Sequence, residues 1–246
     1  MSGIIKDVRM GDQRLILGDC LEVMREIEGN YSGVTDPPYG IGLANGFGGF
    51  GGFGKPIARK QYRGDWDNVV PSAKIFNAFL SITDFAVIFG GNYFTDSLPV
   101  GKQWLVWDKK NTMPTFSDCE LAWTNFNRKS VKLLTYEYNG LIGKREKRVH
   151  PTQKPVEVMI WAIEKFPRDS GNHILDPFMG SGTTLVACAK LGRKGTGIEL
   201  DPEYFEIACK RVEEAYRQAD MFVAPPEKPI EPTQIDMLAN NDSEAV

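Results

Sequence analysis

At 246 residues, with 42% hydrophobic and 25% charged residues, the chain can bury one sizeable core, and a single α/β domain with insertions is the expectation. No apolar run approaches the roughly 20 residues of a membrane span and no signal-peptide pattern opens the chain, so a soluble, cytoplasmic protein is expected. The net charge of −3 is unevenly placed: the stretch 224–246 carries −4, which leaves the body at about +1.

In chain order, Ile4 to Leu17 reads as a pair of strands ending at Gly18-Asp19-Cys20, and Leu21 to Ile27 as a helix stopping near Gly29-Asn30. Tyr31 to Thr35 reads as a short buried strand that runs into Asp36. A glycine-rich segment at about 41–65 follows, with Phe47, Phe50 and Phe53 among its glycines; so much glycine predicts a mobile loop. Ile75 to Leu80 reads as helix, Phe85 to Phe89 and Trp104 to Trp107 as strands. Pro155 to Phe166 places Val156, Met159, Ile160, Ile163 and Phe166 on one helical face. His173 to Leu175 is read as strand, Thr183 to Leu191 as helix closed by Gly192, and Gly195 to Ile198 as strand. Glu203 to Ala219 is a long amphipathic helix with Phe205, Ala208, Val212 and Ala215 inward. The alternation implies an α/β, doubly wound and largely parallel sheet in one domain, 1–223, with a disordered acidic tail at 224–246. Trp107, Trp123 and Trp161 read as core residues.

Two short stretches carry the chemistry. Thr35-Asp36-Pro37-Pro38-Tyr39-Gly40 offers a side-chain acceptor, a stiff backbone carbonyl and an aromatic face within a few residues. Each proline fixes its own φ, which holds the acceptors in place. Such a set suits the planar amino group of a heterocyclic base. Asp176-Pro177-Phe178-Met179-Gly180-Ser181-Gly182-Thr183-Thr184 is a strand-to-helix glycine turn, and Glu199 stands at the end of the next strand, where a carboxylate suits a ribose diol. No Lys follows the glycines as in a P-loop, and Leu185 takes the place of a dinucleotide fingerprint's third glycine. Asp176 would repel a pyrophosphate but suits a cationic ligand. These features favour S-adenosylmethionine over NAD or ATP. Four scattered cysteines and two histidines, His150 and His173, argue against a metal centre or a disulfide frame.

Together with His150-Pro151-Thr152-Gln153-Lys154-Pro155, these motifs resemble the S-adenosylmethionine-dependent amino-group DNA methyltransferases, N6-adenine or N4-cytosine. The Asp-Pro-Pro-Tyr motif precedes the glycine turn, as in their beta subgroup, and the likeness covers Asp19 to about Arg217. It implies a Rossmann-like sheet of seven strands, one of them antiparallel, with a small target-recognition insertion. By the same resemblance Asp36, Pro37, Pro38 and Tyr39 form the catalytic set. Gly180, Gly182 and Thr183 cradle the methionine portion, Glu199 holds the ribose, and Asp176 and Phe178 are further cofactor-binding candidates. Asp19 meets the adenine amino group, and Thr152 and Lys154 flank the cofactor, Lys154 near its carboxylate. For His150 a contact and a plain loop position weigh equally.

An exocyclic aromatic amine is a poor nucleophile because its lone pair is delocalised into the ring. Asp36 and the Pro37 carbonyl, by accepting its hydrogens, would localise that pair and stabilise the charge that grows on nitrogen. Tyr39 offers a face for a base turned out of the duplex. Carbon-5 cytosine methylation is disfavoured, since its Pro-Cys nucleophile is absent. By the same resemblance, Asp at the first position leans towards adenine N6 over cytosine N4 within double-stranded DNA, although either amino group could use the same two acceptors; a DNA-binding relative without catalysis is the remaining alternative. The target reader is expected at about 127–149, where Arg128 to Arg148 holds seven basic residues against Glu137 and Glu146. Lys144, Arg145, Lys147 and Arg148, and in the glycine-rich segment Lys55, Arg59, Lys60 and Arg63, are the candidate DNA contacts. A homodimer and a separate restriction nuclease are left open as partners.

Overall fold

A computed structural model describes residues 2–41, 70–110, 117–137, 153–167 and 170–220. The two proposed DNA-contacting clusters, Lys55–Arg63 and Lys144–Arg148, lie outside those residues, as do His150, Thr152 and the acidic tail.

The opening hairpin forms as expected, β1 (Ile4–Met10) antiparallel to β2 (Gln13–Gly18). After α1 (Cys20–Glu26) comes β3 (Tyr31–Thr35), buried at all five positions because helices cover both of its faces. Then follow α2 (Ala73–Ser81), β4 (Thr83–Phe89), a 3-10 turn at Gly91–Tyr93, β5 (Gln103–Asp108), β6 (Cys119–Thr124) and β7 (Lys132–Thr135). The chain closes with α3 (Val156–Glu164), β8 (His173–Asp176), α4 (Thr183–Lys190), β9 (Lys194–Glu199) and α5 (Pro202–Asp220).

One sheet runs β1-β2-β9-β8-β3-β4-β6-β5-β7. The seven strands from β2 to β5 contain a single antiparallel member, β6, which pairs antiparallel with both β4 and β5. Against the seven expected strands there are nine among the described residues, because β1 and β7 extend the two edges and β1 adds a second antiparallel strand. β7 lies inside the stretch read as target recognition. Its four residues run parallel to β5 as an edge strand, with Leu133 exposed.

Two apolar layers hold the sheet. One joins α3, α4 and α5 to it through Val156, Met159, Ile163, Leu185, Phe205, Ala208 and Val212. The other joins α1 and α2 through Val23, Met24, Phe76 and Phe79. The inward face read for α5 holds at all four positions, whereas on α3 Ile160 is only partly buried and Val158 and Ala162 take the interior. Trp107 and Trp123 are core residues as read; Trp161 is only partly buried.

The connections turn in opposite senses from the sheet's centre. β8 leads through α4 to β9 on one side, and β3 leads through α2 to β4 on the other. β8 and β3 are themselves parallel neighbours. Such a reversal opens a crevice at the carboxyl ends of the strands, the usual ligand position in doubly wound sheets.

Candidate active site

Four strands deliver the motif residues to that edge in spatial order. Asp19 follows β2, Glu199 ends β9, Asp176 ends β8 and Asp36 follows β3. The two chemical motifs are therefore adjacent despite their separation in sequence. Thr35 Oγ1 donates to Asp176 Oδ1 at 2.8 Å, joining residues 141 positions apart.

Asp176 has a task within the fold. Besides Thr35, its Oδ1 accepts from the Phe178 amide at 3.0 Å, and its Oδ2 accepts from Thr184 Oγ1 at 2.5 Å. Both oxygens accept hydrogen bonds within the fold and the residue is buried, so Asp176 pins the turn. Burial pushes its carboxyl up to about 6, against these three hydrogen bonds.

The two glycines divide the work of the turn. Both have positive φ, 52° at Gly180 and 80° at Gly182, a region costly for other residues. A Cβ on Gly180 would meet nothing within 4 Å, so that side of the turn is open to a ligand. A Cβ on Gly182 would lie 2.9 Å from the Ala208 Cβ, so Gly182 serves the packing of α4 on α5. Arg211 of α5 completes the turn's support: its Nη1 donates to the Ser181 carbonyl at 2.7 Å, Ser181 Oγ at 2.8 Å and Thr183 Oγ1 at 3.1 Å. No motif in the sequence singles out Arg211. Phe178, in the same turn, is partly buried.

Glu199 stands level with Leu17 across the β2–β9 ladder. Its Oε1 accepts from the Asp201 amide at 2.8 Å. Burial pushes the carboxyl up to about 7, against backbone N–H groups of Asp201, Gly180 and Leu200 that favour the charge. Asp19 caps α1, its Oδ1 accepting from the Leu21 and Glu22 amides at 2.9 and 3.1 Å. Cys20 feels the charges of both Asp19 and Glu199, and burial, the largest influence, pushes its thiol up to about 12. The two carboxylates thus border one end of the crevice.

At the other end Asp36 is surrounded. Tyr39 Oη donates to Asp36 Oδ1 at 2.6 Å, and Lys154 Nζ lies 2.6 Å from Asp36 Oδ2. The family resemblance puts Lys154 beside the cofactor's carboxylate; the structure places its buried ammonium on Asp36 and on Glu120, 2.9 Å from Oε2. A buried lysine needs such carboxylates near it, which is the reason for the difference. Burial opposes the charge on Lys154, but Asp36 and Glu120 outweigh it and hold the ammonium above the usual range. Tyr39 is fixed as well. Its ring stacks on Tyr93 with centroids 4.8 Å apart and planes at 15°, and the chain at Gly90 approaches so closely that a Cβ there would lie 2.2 Å from the ring. Burial and the neighbouring Asp36 and Glu120 charges raise the Tyr39 hydroxyl well above its ordinary value, so it acts as a donor.

Among the described residues there is no cluster of His, Cys, Asp and Glu that could hold a metal ion, and no helix is long and apolar enough to cross a membrane.

Residues 123–210 match the family model described as DNA methylase. Over 135 residues the chain is 35% identical to the type II methyltransferase M2.DpnII of Streptococcus pneumoniae, covering 44% of this chain. The chain spans about half the length of the curated relatives it matches, 50% in that case. Its fold is shared with the M1.HpyAVI–SAM complex (TM-score 0.54, 24% identity, 81% of this chain and 98% of that one). It is shared too with the cytosine-N4-specific PvuII DNA methyltransferase (TM-score 0.54, 16% identity, 87% and 95%).

Proposed function

We propose that this chain, which belongs to the S-adenosylmethionine-dependent amino-group DNA methyltransferases, methylates the N6 amino group of an adenine turned out of double-stranded DNA. The observation that carries this reading is the order along the carboxyl edge: Asp19, Glu199, the Gly180 turn and Asp36, on four adjacent strands. That order suits, in turn, a purine amino group, a ribose diol, an amino-acid end and an acceptor amine. The fit to the cofactor rests on the open side of Gly180 and on the partly buried Glu199 carboxylate beside it. Bound S-adenosylmethionine supplies an electrophilic methyl group on a sulfonium.

The protein's part is positioning and electrostatics. Asp36 carries four lone-pair sites on two oxygens, so it can accept from an amino group while Tyr39 and Lys154 hold it. The Pro37 carbonyl takes the second amino hydrogen. These bonds strengthen as nitrogen becomes tetrahedral, so they lower the barrier rather than only tightening binding. Tyr39 is rigid and uncharged, which suits stacking against a base. The aspartate at the head of the Asp-Pro-Pro-Tyr motif supports adenine over cytosine.

Methyl transfer from labelled S-adenosylmethionine to DNA of mixed sequence, with the product nucleoside identified by mass spectrometry, tests the proposal. N6-methyldeoxyadenosine is expected, with turnover lowered about 100-fold or more in Asp36→Ala at unchanged cofactor affinity. N4-methyldeoxycytidine overturns the choice of base. Absence of transfer, or full activity in Asp36→Ala, overturns the mechanism.

A further inference from the structure

The residue that completes the surroundings of Asp36 comes from outside both motifs. Glu120 lies on β6 opposite Trp107 of β5, next to Leu121, whose carbonyl accepts from the Gly90 amide at 2.8 Å. This places it beside the backbone that supports Tyr39. Its Oε2 is 2.9 Å from Lys154 Nζ and 3.4 Å from Tyr39 Oη, while its Oε1 is 2.5 Å from Lys109 Nζ. Lys154 Nζ donates to Tyr39 Oη at 3.0 Å and sits 4.9 Å from the centre of the Phe89 ring. The result is an alternating chain of charges, Asp36, Lys154, Glu120 and Lys109, with its inner ammonium 6% exposed and Glu120 18% exposed.

Such a chain has a consequence for Asp36. A buried ammonium with one carboxylate partner draws that carboxylate's lone pairs and makes it a weaker acceptor. A second carboxylate at similar distance divides the ammonium's attraction. Lys109 in turn fixes Glu120 from the far side. We propose that Glu120 is a positioning residue for amino-methyl transfer, sharing Lys154 with Asp36 so that Asp36 is held in place yet keeps its strength as an acceptor for the substrate amine. This inference rests on the reading of Asp36 given above and extends it to a residue that touches neither substrate nor cofactor.

The groups that face Asp36 come from four directions: Tyr39 in its own loop, Lys154 before α3, Glu120 on β6, and Asp176 on β8. Tyr93 faces it only through Tyr39. Burial raises the Asp36 carboxyl, Lys154 lowers it, and Glu120 raises it. Burial works against the charge on Glu120 too, but Lys154 and Lys109 hold its carboxyl down at about 2, so it stays ionised where the enzyme would work.

Glu120→Gln preserves the shape and removes the charge. Three results are expected. kcat falls about tenfold while the KM for S-adenosylmethionine stays within about twofold. The acidic limb of the kcat–pH profile moves to lower pH, because Asp36 loses a repelling charge and gains the whole of Lys154. Glu120→Asp, which keeps the charge, recovers most of the rate and the parent's limb. Direct titration of Asp36 in the unliganded protein by carboxyl NMR should show the same fall from parent to Glu120→Gln, whether or not the protein turns over. An unmoved Asp36 titration in a folded, cofactor-binding Glu120→Gln protein overturns the inference. Failure of the parent to methylate DNA, with the Asp36 titration shifted as expected, overturns the proposed function alone.

Discussion

If Glu199 holds the cofactor's ribose as proposed, cofactor affinity is a function of pH. Its carboxyl ionises at about 7 in the folded chain, raised by burial, against about 4.3 for an exposed glutamate. The sign follows from which form each partner prefers. A ribose diol donates hydrogen bonds, so it binds the ionised carboxylate and not the acid, and affinity must rise as pH increases through 7. At pH 6 only about a tenth of the carboxyl is ionised and at pH 8 about nine-tenths, so the dissociation constant should tighten about tenfold over that interval. Binding near pH 6 should release close to one proton. The unliganded protein follows the opposite course: because the folded carboxyl ionises later than the unfolded one, this residue's contribution to stability is lost as pH rises from about 4.3 through 7. The probe should be a neutral adenosine thioether that keeps the diol and lacks the titrating amino-acid end. Calorimetry at pH 6, 7 and 8 in buffers of different ionisation enthalpy measures affinity and proton release together. Glu199→Gln, which cannot ionise, should bind more weakly at pH 8 and show a flat profile. An equal pH dependence in parent and Glu199→Gln would refute the assignment of the ribose site.

The two glycines of the turn should separate by readout. Gly180→Ala adds a methyl group on the open side at φ 52°, so it should weaken cofactor binding with a stability loss of only about 1–2 kcal/mol. Gly182→Ala adds the same backbone strain and drives a Cβ to 2.9 Å from Ala208, so its thermal midpoint should fall further; equal midpoints would contradict the packing role. DNA engagement is tested by neutralising Lys144, Arg145, Lys147 and Arg148 together. The log–log salt slope of binding should flatten by up to about 0.9 for each phosphate that is no longer neutralised, while cofactor affinity holds. An unaltered slope would move the footprint to Lys55–Arg63.

What could be read from the sequence was what local periodicity and turn chemistry encode. The β3, β8 and β9 strands, the α4 and α5 helices and the glycine turn all announce themselves through runs of apolar residues ending at Asp36, Asp176 or Glu199. Their parallel pairing follows from alternation with helices, and so does the meeting of two motifs far apart in the chain. The place of β6 was not legible, because it enters between β4 and β5 out of chain order. Glu120 went with it, and so did the true partners of Lys154. A signal existed, though a weak one. Lys154 stands between Gln153 and the apolar opening of α3, and a lysine buried at that point requires carboxylates that its own segment does not supply. Asp36 meets one half of that requirement and the chemistry of the motif reserves it for a substrate, so a second carboxylate is called for. Its address, however, is set by pairings such as Trp107 with Glu120 and Val87 with Thr124, which are properties of the assembled sheet. The same holds for Arg211: three hydrogen bonds to Ser181 and Thr183 depend on how α5 packs on α4. Motifs in this chain therefore name the groups proposed to meet the ligands, while Glu120 and Arg211, which contact Lys154 and the glycine turn, arrive from elements that carry no motif.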